Sequence, residues 1–176
     1  MSSLVNLQQR PAPSNRTVNQ STKPQGTLDG VPFFCRDFVS KRLRAYAGSM
    51  PDATLFEVFE TPSDSPFVIE HIAEEFTSVC PITGHPDFGV ITLRYQPVAA
   101  KDGGKCIELK SLKLYYHSFR NEGAFFEAVT NMIRDDLVKA IEPKWLQIES
   151  NWKGRGGIRS VIRADHGDVP GHFLGR

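Results

Sequence analysis

The spacing of apolar residues changes its period along this chain, and this change constrains the fold more than any other feature. In the segment FGVITLRYQPV (88–98), Ile91, Leu93 and Tyr95 alternate with Val90, Thr92 and Arg94. That alternation predicts a half-buried β-strand. From Glu122 onward, apolar residues recur instead at every third or fourth position until Pro143, which predicts a long helix. The chain therefore combines strands with helices.

Weaker patterns complete the predicted order of elements. Segments 54–62 and 66–76 each contain alternating apolar residues and are bounded by Pro and Asp, so they predict a hairpin or two successive strands. A shorter helix is predicted between Ser111 and Arg120, and further strands at 144–152 and 157–165, joined by a Gly-rich turn at 153–157. The order ββααββ predicts an α+β fold, an antiparallel sheet with two helices on one face. Because such a sheet leaves its edges open, we expect a homo-oligomer.

Length and composition suggest one domain with a tail. With 176 residues, the chain is long enough for one apolar core. Residues 1–28 contain no acid and few apolar residues, which predicts a disordered tail, although an organelle transit peptide has a similar composition. Residues 29–65 are expected to form an N-terminal extension that packs on the domain, and residues 66–176 the domain itself.

Charge and hydropathy exclude several classes of partner. The formal net charge is +1, so no positive field attracts the chain to nucleic acid. We find no apolar run as long as a membrane helix and no signal peptide, so a cytoplasmic protein without membrane contact is expected. Three cysteines, an odd number, favour free thiols in a reducing compartment.

The loop TSVCPITGHPDFG contains the strongest candidate for chemistry. A thiolate is a strong nucleophile, and Cys80 lies among Pro and Gly residues on irregular backbone, where catalytic groups concentrate. Asp87 begins the next strand and is placed to return a proton to whatever the sulfur attacks. The alternatives are a buried, inert Cys80 and an Asp87 that only shapes the turn. Cys80 with His85 offers too few ligands for zinc, so no metal is expected.

Two further segments suggest binding. Residues 108–120 combine cations with aromatic rings, which suits a nucleotide but also a solvated helix face. Glu127 lies in the first turn of the long helix, where acids are favoured; its carboxylate also suits a base with adjacent N–H donors.

Three motifs together resemble one enzyme family. The segments EFTSVCPITGHPDFG, ELKSLKLYYHSFRNEGAFFE and KGRGGI are similar to the NADPH-dependent 7-cyano-7-deazaguanine reductases, the nitrile reductases of queuosine biosynthesis in tRNA modification, in their short single-module form. The resemblance covers about residues 66–160, and the motif Glu108–Lys113 distinguishes these reductases from other tunnelling-fold enzymes. It implies a tunnelling fold that assembles into two stacked pentameric rings with sites at subunit interfaces.

The resemblance also implies roles for individual residues. Cys80 would attack the nitrile of 7-cyano-7-deazaguanine to form a thioimide, Asp87 would donate a proton, and two equivalents of NADPH would complete the reduction without metal. The residues implied for the substrate are Ile107, Glu108, Leu109, Phe126 and Glu127. Those implied for NADPH are Leu109, Lys110, Lys113, Arg155 and Gly156.

One position departs from the family, and two alternative functions stay open. Phe126 stands where members usually have His, which removes a possible proton relay or substrate contact, so Phe126→His is expected to raise turnover if the imidazole donates a proton. A related tunnelling-fold enzyme that joins an amine to the same nitrile is one alternative. A non-catalytic purine-binding module is the other.

Overall fold

A computed structural model describes residues 51–174 of the chain. The predicted tail at 1–28, Cys35 and the part of the predicted extension before residue 51 lie outside the described residues. Within residues 51–174, no helix is long and apolar enough to cross a membrane.

The main sheet has four antiparallel strands in the order β2–β3–β5–β6. These strands are β2 (Ile69–Val79), β3 (Pro86–Gln96), β5 (Trp145–Trp152) and β6 (Val161–Gly167). Two short strands, β1 (Val58–Glu60) and β4 (Lys105–Ile107), pair with each other in a second antiparallel sheet. Helices α1 (Leu109–Ser118) and α2 (Phe126–Ile141) lie between β4 and β5, and a short helix α3 (Gly171–Leu174) follows β6.

The prediction of an α+β fold with an antiparallel sheet is confirmed, and of the two alternatives for its first strands, two successive strands is right and a hairpin is wrong. Segments 54–62 and 66–76 do not form a hairpin, because β1 pairs with β4 through the register Val58 to Ile107. The apolar side chains of Val58 and Phe59 are 44% and 51% exposed, so the alternation there does not reflect a face packed on the core. Much of the predicted strand is loop and a turn of 3-10 helix at Ala53–Leu55.

Both long helices cover one face of the main sheet. On β3 the inward side chains are Ile91, Leu93 and Tyr95, and each is fully buried. They join the facing residues of β5 and the apolar faces of α1 and α2 in a single cluster of buried residues, which includes Leu112, Tyr115, Val129, Ile133, Leu137, Leu146, Ile148 and Trp152. The period-2 and period-3.6 patterns in the sequence therefore mark the same core.

Three segments meet at one end of this sheet. The loop of residues 80–85 joins β2 to β3, and the turn of residues 153–160 joins β5 to β6 beside it, since Gly89 of β3 pairs with Trp152 of β5. The segment before α2 runs alongside the end of β2, where the Val79 N–H donates to the Glu122 carbonyl at 3.0 Å. The beginning of α2 is thereby fixed next to the loop that contains Cys80.

Candidate active site

The loop of residues 80–85 is closed by backbone hydrogen bonds around Cys80. The Cys80 N–H donates to the His85 carbonyl at 2.8 Å, and the Gly84 N–H donates to the Cys80 carbonyl at 2.9 Å. Gly84 has a φ of +71°, a conformation that glycine adopts without steric cost. Cys80 lies at the base of this tight loop with 5% of its surface exposed.

The Cys80 thiol is acidic for a cysteine. Burial raises its pKa, but hydrogen bonds from the Thr83 hydroxyl and from the backbone N–H groups of Thr83 and Ile82, with a further one from Arg155, outweigh burial and lower the pKa to about 6. Each of these donors stabilises the charged sulfur more than the neutral thiol. The site therefore holds a large fraction of thiolate at neutral pH, as a nucleophilic cysteine requires.

Asp87 is buried beside the same loop and is paired with Arg155. It is 4% exposed and lies directly opposite Ser78 in the register of β2 and β3. The Arg155 guanidinium forms an ion pair with Asp87 Oδ1. Among the described residues, Asp87 Oδ2 and Ser78 Oγ are buried without a hydrogen-bond partner. One carboxylate oxygen is thus held by a cation while the other is unoccupied by protein.

The Arg155 guanidinium packs against a stack of two aromatic rings, Phe126 and Trp152. Its guanidinium carbon lies 5.2 Å from the centre of the Phe126 ring. Phe126 in turn stacks on Trp152, with ring centres 3.9 Å apart and an interplanar angle of 11°. We call Cys80, Asp87, Arg155 and Phe126 the thiol cluster, because Arg155 contacts the other three.

A second group of predicted residues lines a separate cavity between β2 and α1. This cavity has a volume of about 740 Å³ and is lined by Leu109, Lys110 and Lys113 together with Arg120 and two histidines, over an apolar floor. We call it the α1 cavity. Glu74, Glu75 and Glu108 also line the cavity, so its lining has as many carboxylates as Lys and Arg side chains. The apolar floor suits a planar ring, and Lys110, Lys113 and Arg120 suit an anionic group.

Glu108 also borders the α1 cavity, but its carboxylate has a structural partner. It caps α1, accepting hydrogen bonds from the Lys110 N–H at 2.8 Å and the Ser111 N–H at 2.7 Å. Those backbone hydrogen bonds, Lys110 first, lower the pKa of Glu108. The ionised cap explains why an acidic residue precedes this helix.

The remaining predicted residues lie outside both groups or at their margins. Ile107 is 2% exposed, and its N–H donates to the Tyr95 hydroxyl at 3.2 Å, so its side chain belongs to the core. Glu127 is exposed in the first turn of α2, one residue after Phe126. Gly156 has a φ of +57° in the turn after Arg155. None of the four residues of the thiol cluster lines the α1 cavity.

Sequence reasoning missed three contributors to the thiol cluster. Thr83 stabilises the thiolate, Ser78 faces Asp87, and Trp152 supports Phe126. A weak signal for Thr83 was available, since threonine hydroxyls in turns commonly form local hydrogen bonds. The other two contacts depend on strand register and helix placement, which sequence spacing does not reveal.

Comparisons with known proteins agree on one family. Residues 86–170 match the model of the QueF-like protein family. The chain is 50% identical over 115 residues to an NADPH-dependent 7-cyano-7-deazaguanine reductase of Anaeromyxobacter sp., covering 65% of this chain and 90% of that protein. It is 53% identical over 113 residues to the reductase of the same name from Chloroherpeton thalassium, covering 64% of this chain and 93% of that protein.

A solved structure shares the fold. The crystal structure of the archaeosine synthase QueF-Like in the apo form superposes with a TM-score of 0.50 at 20% identity, covering 63% of this chain and all of that one. Fold and site together define an α+β protein that presents an acidic thiol beside a buried carboxylate. Within that class, the chain belongs to the family of NADPH-dependent 7-cyano-7-deazaguanine reductases, as its three motifs predict.

Proposed function

We propose that this chain reduces the nitrile of 7-cyano-7-deazaguanine to the aminomethyl group of 7-aminomethyl-7-deazaguanine, a step of queuosine biosynthesis. The thiol cluster is the observation that carries the proposal. An acidic, enclosed sulfur next to a paired carboxylate suits addition to an electrophilic carbon. Half-identical relatives bear the name of this reductase.

The first step is covalent. The Cys80 thiolate attacks the nitrile carbon, a C–S bond forms, and one π bond of the nitrile opens toward nitrogen. Asp87 delivers a proton to that nitrogen, which gives a neutral thioimide on Cys80. The proton comes from the thiol or from solvent and reaches Asp87 at Oδ2, the oxygen that Arg155 leaves unoccupied. Enclosure of Cys80 excludes the water that would hydrolyse the thioimide.

The second stage is the reduction of the thioimide to the primary amine. When bound, NADPH would supply one hydride to the thioimide carbon and a second to the imine that forms when the C–S bond breaks, four electrons in all. Cys80 leaves as a thiolate, and Asp87 protonates the nitrogen. The sum is one nitrile, two NADPH and two protons giving one primary amine and two NADP⁺. Lys110 and Lys113 at the α1 cavity would hold the phosphates of NADPH.

Glu127 would anchor the deazaguanine. Its exposed carboxylate at the beginning of α2 is oriented by a helix whose first turn adjoins the thiol cluster, and a carboxylate accepts two parallel N–H bonds. Backbone groups of Ile107, Glu108 and Leu109 would contact the same base. Of these three residues, Glu108 and Leu109 line the α1 cavity, whereas Cys80 does not.

A site that is split within one subunit is completed between subunits. The outer edges of β2 and β6 have no strand partner among residues 51–174. Joining the two edges in neighbouring copies would build the ring of a tunnelling fold and bring one copy's α1 cavity toward another's Cys80. We propose that this assembly is cytoplasmic, where queuosine biosynthesis would use it.

A mass spectrum tests the covalent step. The full chain is incubated with 7-cyano-7-deazaguanine in the absence of NADPH, and its mass is expected to rise by the mass of one substrate, on the peptide that contains Cys80. Cys80→Ala should show no adduct, whereas Cys106→Ala, which removes a thiol that is 1% exposed in the core, should still form it. Absence of an adduct in the unsubstituted chain would refute the mechanism.

NADPH oxidation separates reduction from the alternative chemistry. Two equivalents oxidised per substrate are expected. An adduct without any oxidation would favour addition of an amine to the same nitrile. Binding of the substrate with neither adduct nor oxidation would favour a purine-binding module.

A further inference from the structure

The support beneath Arg155 is anchored in the core. Trp152 is fully buried, and its indole N–H donates to Ser150 Oγ at 3.0 Å. Ser150 Oγ is itself 2.6 Å from Thr130 Oγ1 on α2. The indole plane is therefore fixed by β5 and α2 together. The Phe126 ring stacks on this indole with ring centres 3.9 Å apart, so its orientation is fixed as well.

Arg155 is held at both ends. Its backbone is fixed in a tight turn, because its N–H donates to the Ile158 carbonyl at 2.9 Å and its carbonyl accepts from the Ile158 N–H at 3.0 Å. Its guanidinium lies over Phe126 at 5.2 Å and pairs with Asp87. A cation over a ring face is attracted by the ring's quadrupole, so the stack favours this placement of the side chain.

Asp87 needs a cation. Its side chain is 3% exposed, and a buried carboxylate without a partner is strongly destabilising. Arg155 satisfies Oδ1 from the side of the β5–β6 turn, while Ser78 lies across from Asp87 on the β2 side. The two oxygens therefore face different surroundings.

We propose that Arg155 is a positioning residue for the thiol chemistry: the stack of Phe126 on Trp152 holds its guanidinium on Asp87 Oδ1, so that Oδ2 is the oxygen that exchanges the proton. This role of Arg155 rests on the proposed function, in which Asp87 delivers a proton to the nitrile nitrogen. The same stack gives Phe126 a role as a support for Arg155.

This role is distinct from cofactor binding, the role that the family resemblance implies for Arg155. A cofactor ligand affects only steps in which NADPH is present. A residue that orients Asp87 affects addition of the thiol to the nitrile, which requires no NADPH. The rate of adduct formation in the absence of NADPH therefore separates the two roles.

Four variants are compared with the unsubstituted chain in that assay. Arg155→Met removes the cation, and adduct formation is expected to slow about tenfold or more because proton transfer loses its aligned partner. Arg155→Lys keeps the charge without the planar fork and should be intermediate. Phe126→Leu removes the ring face and should slow the reaction, and Phe126→Tyr, which restores a ring, should recover it. If Arg155→Met fails to fold, the Lys and Leu variants carry the test.

A second measurement uses no substrate. The rate of Cys80 alkylation by iodoacetamide is followed against pH, and Arg155→Met should shift its midpoint upward and lower the rate at pH 6 by about threefold, because one donor to the thiolate is lost. Phe126→Leu should shift it in the same direction and Phe126→Tyr should not. The other titratable side chains on the segments around Cys80 stay unchanged in every variant: Asp87, His85, Glu122 and Glu127.

The outcomes are separable. An adduct rate for Arg155→Met within twofold of the unsubstituted chain, with a raised KM for NADPH, would make Arg155 a cofactor residue and overturn the inference. Identical rates for Phe126→Leu and the unsubstituted chain would overturn the role of the stack. If the unsubstituted chain forms no adduct, the proposed function fails, and the alkylation profiles alone decide whether Arg155 acts on Cys80.

Discussion

Replacement of Thr83 by Val tests how the loop makes Cys80 acidic. The Thr83 hydroxyl is the strongest of the groups that lower the pKa of Cys80 from its usual 9.0 to about 6. Valine has the same shape but no donor. The backbone N–H groups of Ile82 and Thr83 and the Arg155 guanidinium still face the sulfur in this variant, so only part of the shift is lost.

The expected change in the pKa of Cys80 is large because the acceptor of the Thr83 hydrogen bond, the thiolate, is charged. A hydrogen bond to a charged group contributes about 1.5–3 kcal/mol, and about 1.4 kcal/mol corresponds to one pKa unit. Thr83→Val should therefore raise the pKa of Cys80 by about one unit or more. At pH 6 the thiolate fraction would fall from about one half to about one tenth, roughly a fivefold loss of nucleophile.

Alkylation of Cys80 by iodoacetamide between about pH 5 and 9, quantified on the peptide by mass spectrometry, measures that fraction. Thr83→Ser is the matched control, since it keeps the hydroxyl that also accepts the His85 N–H at 3.3 Å. The midpoint should rise for Val and stay in place for Ser. An unchanged midpoint for Val would refute the idea that this hydroxyl stabilises the thiolate.

Three other changes have defined outcomes. Glu108→Gln should lower the free energy of unfolding above pH 4.5 and flatten the dependence of that free energy on pH below 4.5, as measured by urea unfolding. The reason is that the pKa of Glu108 is lower in the folded state than in the unfolded state. The ionised cap therefore stabilises the fold above the unfolded pKa, and this stabilisation is lost as the carboxylate is protonated. Gly104→Ala should lower the free energy of unfolding by about 3 kcal/mol, since the new Cβ would lie 1.9 Å from the Val98 carbonyl oxygen, whereas Gly171→Ala meets open space. Phe126→His should reduce turnover through the loss of the stack beneath Arg155; a gain between about pH 6 and 8 would instead support a proton-donating imidazole at this position.

The spacing of apolar residues predicted the main strands and helices, because strands repeat it every two residues and helices every three to four. The alternation of Ile91, Leu93 and Tyr95 marks a strand whose inward side chains are all fully buried. The long helix begins at Phe126 and not at Glu122, because residues 122–124 are engaged with the end of β2. That engagement is a tertiary contact, which a periodic pattern does not contain.

The pairing of β1 shows the limit of such patterns. Phe56 and Val58 flank Glu57 as alternating strand residues do, yet Val58 and Phe59 pair with residues almost fifty positions away, in β4. Sequence spacing favours a neighbouring strand as the partner. The position of β1 is set by backbone pairing with β4, and the apolar pattern of residues 54–62 does not predict this pairing.

For the site, chemistry was easier to predict than geometry. The loop composition around Cys80 and Asp87 indicated a nucleophile and a proton carrier, and the structure brings both to Arg155. The assignment of these roles stays a prediction. The contact between Arg155 and Asp87 joins the beginning of β3 to the turn after β5, so it depends on the register of these two strands.

The position of Trp152 has a practical consequence. The sequence contains two tryptophans, and the other, Trp145, contacts Phe173 with ring centres 5.5 Å apart. With Trp145 replaced by Phe, the remaining indole emission would come from a fluorophore one ring away from the guanidinium. Its intensity then offers a stopped-flow signal for events at the sulfur, without any label on the chain.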